Sequence, residues 1–411
     1  MEPMKNLIKV TTARGRHRAF ADAAWHDRWL YTVALSSLLA GFALKPVTGT
    51  QPDYAMIIEL GIPTLFLVTV FGAAILLSKL AWLAIVKRST RPTHDLLVLI
   101  SDFFLARGGA VNAVHTFAIY VAFASAFMAM KGAVTVLVPF SWDTTLSEID
   151  RMLHFGHLPH EWLMPLLGNP VVLKAVNIAY NLWFFVVIFS FILAASAGRN
   201  QRLRHRYLMS FMLLWIVGGF FIAAGYSSAG PCFYERAGFG ALYTPLMEHL
   251  HTASAKYTLW ALDTQDKLWA GFIGERPGSA GISAFPSMHV ATATLFVLAA
   301  RHMHRIVLGL AIAFWLVIIA GSVLLAWHYA VDGYAGALIA LVIWRITGRY
   351  AAALPTQLPH VTGRLRGLVG FRSHWHSSSV RVEGAKLRIC LSRRWHGCAL
   401  PDSWPVRWCT C

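Results

Sequence analysis

The sequence predicts an all-α protein whose helices form a polytopic bundle in a membrane. Of its 411 residues, 57% are hydrophobic and only 13% are charged. This charged share is about half of that in a soluble domain, and a surface that faces water needs more charge. The hydrophobic content also excludes a disordered chain. The net charge of +17 would suit a nucleic-acid-binding protein. Whether it indicates one depends on where the basic residues lie along the chain.

Eight apolar stretches approach the length of a membrane-spanning helix, which needs about 20 residues. They are expected near residues 29–44, 60–86, 110–130, 175–198, 207–226, 286–300, 306–327 and 329–345. The chain accordingly divides into four parts. These are a basic N-terminal segment (1–28), two additional helices (29–109), a six-helix core (110–350) and a basic tail (351–411) that is expected to be disordered.

The basic residues between these stretches predict the topology. They follow the second, fourth, sixth and eighth stretches, as Lys87, Arg88, Arg91, Arg199, Arg202, Arg204, Arg206, Arg301, Arg305, Arg345 and Arg349. The positive-inside rule then places both termini in the cytoplasm, and it places 141–170 and 227–285 on the outer side of a plasma or inner membrane. The positive charge therefore lies beside anionic lipid, so membrane lipids are expected as partners and nucleic acid is not.

Two polar clusters interrupt the apolar chain on the predicted outer side, where ionisable residues are functional candidates. The first is Ala-Phe-Pro-Ser-Met-His at 284–289, and the second is His-Tyr-Ala-Val-Asp at 328–332. His328 and Asp332 are four residues apart, so they share one face of a helix. The carboxylate can then fix the tautomer of a nucleophilic imidazole, and His289 can give a proton to a leaving group.

Four further residues are candidates for binding a phosphorylated substrate. Ser287 is a capping-type residue at a helix start, where backbone N–H groups attract phosphate. Arg236 and Arg276 could neutralise its charge, and Tyr329 could bind headgroup hydroxyls. The alternatives are solvated loop charges for the arginines and an interface anchor for the tyrosine. For Asn177 and Tyr180, which also lie in an apolar stretch, helix packing is favoured over lining a site.

No metal or cofactor is expected. His154, His157 and His160 lie close together, but solvated histidines of an interfacial loop are favoured over a metal site. Four of the five cysteines lie in the last 22 residues, and the chain contains no Cys-x2-Cys pair.

The two clusters resemble motifs of the type 2 phosphatidic acid phosphatase (PAP2) superfamily of membrane phosphatases and phosphotransferases. That family carries Pro-Ser-Gly-His and, later, Ser-Arg-x5-His-x3-Asp on a six-helix core, and the resemblance covers roughly 110–350. It implies that His328 is the nucleophile and forms a phosphohistidine. It further implies that Asp332 assists this histidine, that His289 is the general acid, and that Ser287 contacts phosphate.

The sequence also departs from that pattern. Met288 replaces the glycine, and Gly321 and Ser322 stand where the family has Ser and Arg. The first family motif, Lys-x6-Arg-Pro, is not found, because Trp269 stands where Arg276-Pro277 would need a lysine.

These departures resemble the inositolphosphotransferase branch, which contains inositol phosphorylceramide synthase. That branch has Phe-Pro-Ser-aliphatic-His and His-Tyr-x2-Asp, as at 285–289 and 328–332, and Gly-Pro-Cys-Phe-Tyr at 230–234 is similar to it too. The resemblance therefore implies a lipid phosphotransferase that moves a phospho-headgroup, with phosphoinositol as one candidate, to a lipid alcohol. A lipid phosphate phosphatase is the alternative. A lipid-phosphate carrier or flippase is a third hypothesis, although transport does not require two histidines and an aspartate.

Overall fold

The computed structural model describes residues 24–49, 66, 69, 70, 72–101, 109–197, 200–275 and 281–352. Most of the predicted N-terminal segment and nearly all of the predicted tail lie outside these ranges. Within them the chain is predominantly helical and contains no β-strand, which confirms the all-α prediction. Six helices are long and apolar enough to cross a membrane, and two shorter helices are also apolar. The predicted class of fold, a polytopic membrane bundle, is therefore confirmed.

The long apolar helices match six of the eight predicted stretches, and the two short ones match the others. In chain order the helices are α1 Arg28–Thr48, α2 Gly72–Val86, α3 Pro92–Ser101, α4 Gly109–Leu137, α5 Asp143–Leu153, α6 Pro159–Leu167, α7 Pro170–Ser196, α8 Gln201–Gly225, α9 Thr244–Lys256, α10 Trp260–Phe272, α11 Met288–Ala300, α12 Arg305–Leu324 and α13 Ala330–Ala352. Helix α8 contains a π-helical segment, Val217–Ile222.

Helix α11 is the most deeply buried element of the bundle. Nearly all of its side chains are buried, and it packs against α7, α8, α12 and α13. A helix that is apolar on every side is stable only when other helices or lipid surround it. Its 13 residues extend about 20 Å, which is less than the length of the neighbouring spans. The residues just before its first turn consequently lie among other helices.

The end of the bundle at which α11 begins is called here the histidine end, because His289 and His328 lie there. Helix α5 borders this end and is amphipathic, since every third or fourth residue faces inward. Its buried side chains are Asp143, Leu146, Ser147 and Asp150. Two of them are carboxylates, so the inward face of α5 carries groups that need hydrogen-bond donors.

A buried charge cluster at the opposite end holds together α4, α8 and the chain just before α1. The guanidinium of Arg204 donates to both carboxylate oxygens of Asp27, at 2.8 and 2.7 Å, and to the hydroxyl of Thr116 at 2.6 Å. His115 Nε2 lies 2.7 Å from the same carboxylate. The expectation that Arg204 belongs to a loop is wrong, because α8 begins at residue 201 and the arginine is buried. Asp27, which lies just before α1, compensates its charge.

We expect Asp27→Asn to lower the free energy of unfolding by about 3–5 kcal/mol, because the substitution leaves the buried charge of Arg204 uncompensated. Asp266→Asn is the matched control, since Asp266 pairs with Arg236 at an exposed position, where an ion pair contributes about 1 kcal/mol or less. Reversible unfolding in mixed micelles measures both changes. Equal losses in the two variants would contradict the structural role of the cluster.

Candidate active site

The two predicted polar clusters lie side by side at the histidine end. The backbone N–H of Ser287 donates to the carbonyl oxygen of Asp332 at 2.9 Å. Ala284, in the same loop as Ser287, donates its own N–H to the carbonyl of Ser228 at 2.9 Å. Segments that are more than 40 residues apart in sequence are therefore fixed to one another through their backbones. The loop before α11 is therefore joined to the first turn of α13 and to the loop after α8.

The geometry around His328 fixes the tautomer of its imidazole. Nδ1 lies 2.8 Å from the carbonyl oxygen of Ala284 and 3.3 Å from Oδ2 of Asp332. A carbonyl can only accept, so Nδ1 carries the proton and Nε2 carries the lone pair. Burial lowers the pKa of His328 to about 3. The imidazole is therefore neutral near pH 7, which is the state that a nucleophile requires.

His289 faces His328 across the space between α11 and the chain that leads to α13. The centroids of the two rings are 5.9 Å apart and their planes are nearly perpendicular. The ring of His289 also packs on two aromatic side chains of α7, with centroid distances of 4.4 Å to Tyr180 and 4.0 Å to Trp183. Trp183 is itself held by a hydrogen bond to Thr292 at 2.7 Å. The orientation of His289 is thus set by packing on rigid rings.

Ser287 is the N-cap of α11, as its residue type predicts. It is fully buried, and its hydroxyl accepts from the backbone N–H of Val290 at 3.5 Å. Pro286 precedes the cap instead of occupying the first helical turn. The N-terminal turn of α11 thus begins beside both histidines, where its N–H groups and helix dipole favour an anion.

Tyr329 makes contacts within the protein. Its hydroxyl donates to Oδ1 of Asp143 at 2.7 Å, and only 1% of its surface is exposed. The same carboxylate accepts the backbone N–H groups of Ala229 at 2.9 Å and Gly230 at 2.8 Å. Tyr329 therefore joins the chain before α13 to α5 and to the loop after α8.

Sequence reasoning missed the roles of Asp143 and Asp150. Asp150 accepts the first two N–H groups of α13, from Ala330 at 2.7 Å and from Val331 at 2.8 Å. These two carboxylates of α5 position the residues that flank His328. Their only signal in the sequence is the seven-residue spacing, which puts both on one face of a helix.

Lys131 was also missed. It lies in α4 and makes no ion pair within the described residues, yet its positive charge acts on His328 and contributes to lowering the pKa of that histidine. A Cβ on Gly281 would lie 2.6 Å from its side chain, so the loop before α11 passes directly over it.

The two predicted arginines are placed differently. Arg236 forms an exposed ion pair with Asp266 at 2.7 Å. It lines a cleft of about 360 Å³ together with Thr135, Pro139, Phe140, Ala237, Trp269 and Phe272. Neither histidine lines this cleft. Arg276 lies outside the described residues. Within the described ranges, no group of three or more His, Cys, Asp or Glu residues is arranged to hold a metal ion.

We expect Tyr329→Phe to lower the free energy of unfolding by about 1.5–3 kcal/mol, because a hydrogen bond to a buried carboxylate is lost. The KM for a lipid substrate should change less than twofold if the hydroxyl serves only this contact. Unfolding and steady-state kinetics on the same preparation separate the two effects. A large rise in KM without a loss of stability would instead show that the hydroxyl contacts substrate.

Comparison with known proteins yields one match. Residues 144–346 match the family model described as the PAP2 superfamily. Comparison with curated proteins and with solved structures finds no match. The matched segment contains His289, His328 and Asp332, as well as Asp150 from α5. The part of this membrane bundle that forms the two-histidine site is therefore the part that matches the PAP2 superfamily.

Proposed function

We propose that this protein is a lipid phosphotransferase that acts through a phosphohistidine at His328. The observation that carries the proposal is the hydrogen bond from Nδ1 of His328 to the carbonyl of Ala284. It leaves the lone pair on Nε2, which accepts no hydrogen bond within the described residues, opposite His289. Substrate phosphorus placed between the two rings meets a nucleophile on one side and a proton donor on the other.

In the first step, Nε2 of His328 attacks phosphorus and an N–P bond forms. The P–O bond to the departing lipid alcohol breaks, and His289, as an imidazolium whose charge the bound phosphoryl anion stabilises, gives its proton to that oxygen. Asp332 and the carbonyl of Ala284 stabilise the positive charge that develops on the imidazole ring. This role needs a carboxylate close to Nδ1, and Oδ2 of Asp332 lies 3.3 Å away.

In the second step, an acceptor oxygen attacks phosphorus and the N–P bond breaks. His289, which has lost its proton, takes the proton of the acceptor. A lipid alcohol as acceptor gives a new phospholipid, whereas water gives hydrolysis. The same residues therefore suit a phosphotransferase or a phosphatase, and the acceptor decides between them.

Lys131 and the N-terminus of α11 are proposed to bind the nonbridging oxygens of the phosphoryl group. The cation acts on His328 already, and Ser287 opens the helix whose N–H groups point toward the site. Arg236 lies at the cleft and is paired with Asp266, so we assign it to the headgroup side of the substrate. Arg276 remains a proposed phosphate ligand from its sequence position.

The charge of the site favours transfer from a phosphodiester. Among the described residues, the cation that acts on His328 is Lys131. A phosphodiester headgroup carries one negative charge, while a phosphomonoester carries close to two at pH 7. The single positive charge of Lys131 equals in size the single negative charge of the phosphodiester. This supports transfer of a phospho-headgroup, with phosphoinositol as the candidate that the 285–289 and 328–332 patterns imply. The histidine end is proposed to face the outer side of the membrane.

Purified protein incubated with phosphate-labelled phosphatidylinositol and with ceramide or diacylglycerol should form a new phospholipid and an acid-labile labelled protein. His328→Ala should abolish both products, a loss of about 10⁴-fold or more, because no other group supplies the nucleophile. The control is His157→Ala, since His157 is exposed and hydrogen-bonded to Glu161.

His289→Ala should slow the reaction of the lipid ester by about 10²–10⁴-fold. A nitrophenyl phosphodiester should restore most of the rate, because nitrophenolate leaves without a proton. Release of free headgroup phosphate with no new lipid would favour the phosphatase. Movement of lipid between leaflets without either product would favour the carrier. Labelled protein that persists in His328→Ala would contradict the mechanism.

Lys131→Met should raise the KM for the phospholipid donor by about 10–100-fold, since a charge-assisted contact to phosphate is lost. Lys131→Arg should recover part of the affinity. Lys267→Met is the control, because Lys267 is an exposed lysine of α10. An unchanged KM in Lys131→Met, measured with active protein, would remove Lys131 from the substrate site.

A further inference from the structure

Tyr180 carries a buried hydroxyl without a partner. Only 3% of the residue is exposed, and the hydroxyl makes no hydrogen bond within the described residues. A buried polar group in this state costs about 1–3 kcal/mol. Phenylalanine would fill the same space without that cost. The hydroxyl therefore lacks, among the described residues, the partner that a buried polar group needs.

The surroundings of Tyr180 place it at the two-histidine site. Its ring stacks on His289 with a centroid distance of 4.4 Å and an interplanar angle of 20°. Its hydroxyl is also within electrostatic range of Asp332. Tyr180 is thus packed against the proposed proton donor, His289, and lies within electrostatic range of the residue that orients His328.

Space for this ring depends on Gly321. A Cβ at residue 321 would lie 2.9 Å from Cδ2 of Tyr180 and 3.0 Å from Val176, which is closer than carbon atoms pack. The serine that the family pattern has at this position would displace the ring. The next residue, Ser322, is buried and donates its hydroxyl to the carbonyl of Ile319 at 2.8 Å. It supplies no cation, in contrast to the arginine of the pattern.

We propose that the Tyr180 hydroxyl is a catalytic hydrogen-bond donor to a nonbridging oxygen of the phosphoryl group. It takes over part of the role of the arginine that Ser322 replaces, and Gly321 provides the room for it. The proposal rests on the phosphotransfer proposed above. Its chemistry is a neutral donor aimed at an oxygen on which negative charge increases in the transition state. No bond to the hydroxyl breaks during the reaction.

The test is Tyr180→Phe, which keeps the ring that packs on His289 and removes only the hydroxyl. We expect kcat to fall about 100-fold, while the temperature of unfolding stays the same or rises because an unpaired polar group is removed. Tyr207→Phe is the matched control. Its hydroxyl is also buried but is paired with Ser190 at 2.7 Å, so that variant should lose stability and keep its kcat.

The leaving group separates a direct role from a positioning role. A donor to a nonbridging oxygen acts on every substrate, so the loss in Tyr180→Phe should be the same with the lipid ester and with a nitrophenyl phosphodiester. A loss that disappears with the nitrophenyl ester would mean that Tyr180 acts through His289, and it would overturn the proposal. Full kcat in Tyr180→Phe would overturn it as well.

Gly321→Ala provides a second, independent variant. It should lower kcat in the wild-type background, because the added methyl group moves the ring of Tyr180. In the Tyr180→Phe background it should cause little further loss, since the hydroxyl is already absent. Additive losses would contradict the coupling between the two residues. Wild-type protein that forms no labelled intermediate would refute the phosphotransfer and the role of Tyr180 that rests on it. Labelled wild-type protein together with full kcat in Tyr180→Phe would refute the assignment of Tyr180 alone.

Discussion

The histidine end depends on carboxylates that bind backbone N–H groups. In a membrane protein a buried N–H without a partner costs several kcal/mol, because no water is available to replace the bond. Helix α5 provides two such carboxylates. Asp143 accepts backbone N–H groups of the loop after α8, and Asp150 accepts those of the first turn of α13. Gly230 lies in that loop with φ +96°, and a Cβ on it would lie 2.9 Å from the carbonyl oxygen of Trp327. The glycine therefore allows the loop to pack closely against the chain before His328. One amphipathic helix thereby fixes both sides of His328.

This use of carboxylates has an electrostatic consequence for an anionic substrate. Asp143, Asp150 and Asp332 lie near the site, and free carboxylates there would repel phosphate. Burial raises the pKa of Asp143 and of Asp150, and N–H donors partly offset this rise. Burial therefore disfavours the charged form of these two side chains, and the N–H donors stabilise the carboxylates. In the proposed mechanism, the positive charge of Lys131 on α4 attracts the phosphoryl group against the negative charge that remains.

Sequence reasoning succeeded where the information is local. The four-residue spacing does bring Nδ1 of His328 to 3.3 Å from Oδ2 of Asp332, and both histidines stand at the ends of apolar stretches. The two residues do not share a helix face as predicted, because α13 begins at Ala330, after His328. It failed where the partners are distant. Asp27 is 177 residues from Arg204, and Asp150 is 180 residues from Ala330, so no periodicity links them. Arg204 consequently looked like a loop residue. Lys131 escaped notice for another reason, because it directly follows the predicted apolar stretch 110–130 and no spacing in the sequence relates it to His328.

The departures from the family pattern are easier to understand as one linked change than as separate losses. Ser322 stands where the motif that 328–332 resembles has an arginine, and the cation that acts on His328 within the described residues is Lys131. Gly321 simultaneously opens space for the hydroxyl of Tyr180, which is neutral. Replacing fixed positive charges by a neutral donor lowers the affinity for a dianion more than for a monoanion, because Coulomb attraction scales with the charge of the ligand. In the proposed mechanism, these linked differences favour a phosphodiester over a phosphomonoester, and transfer of a headgroup over hydrolysis of a lipid phosphate.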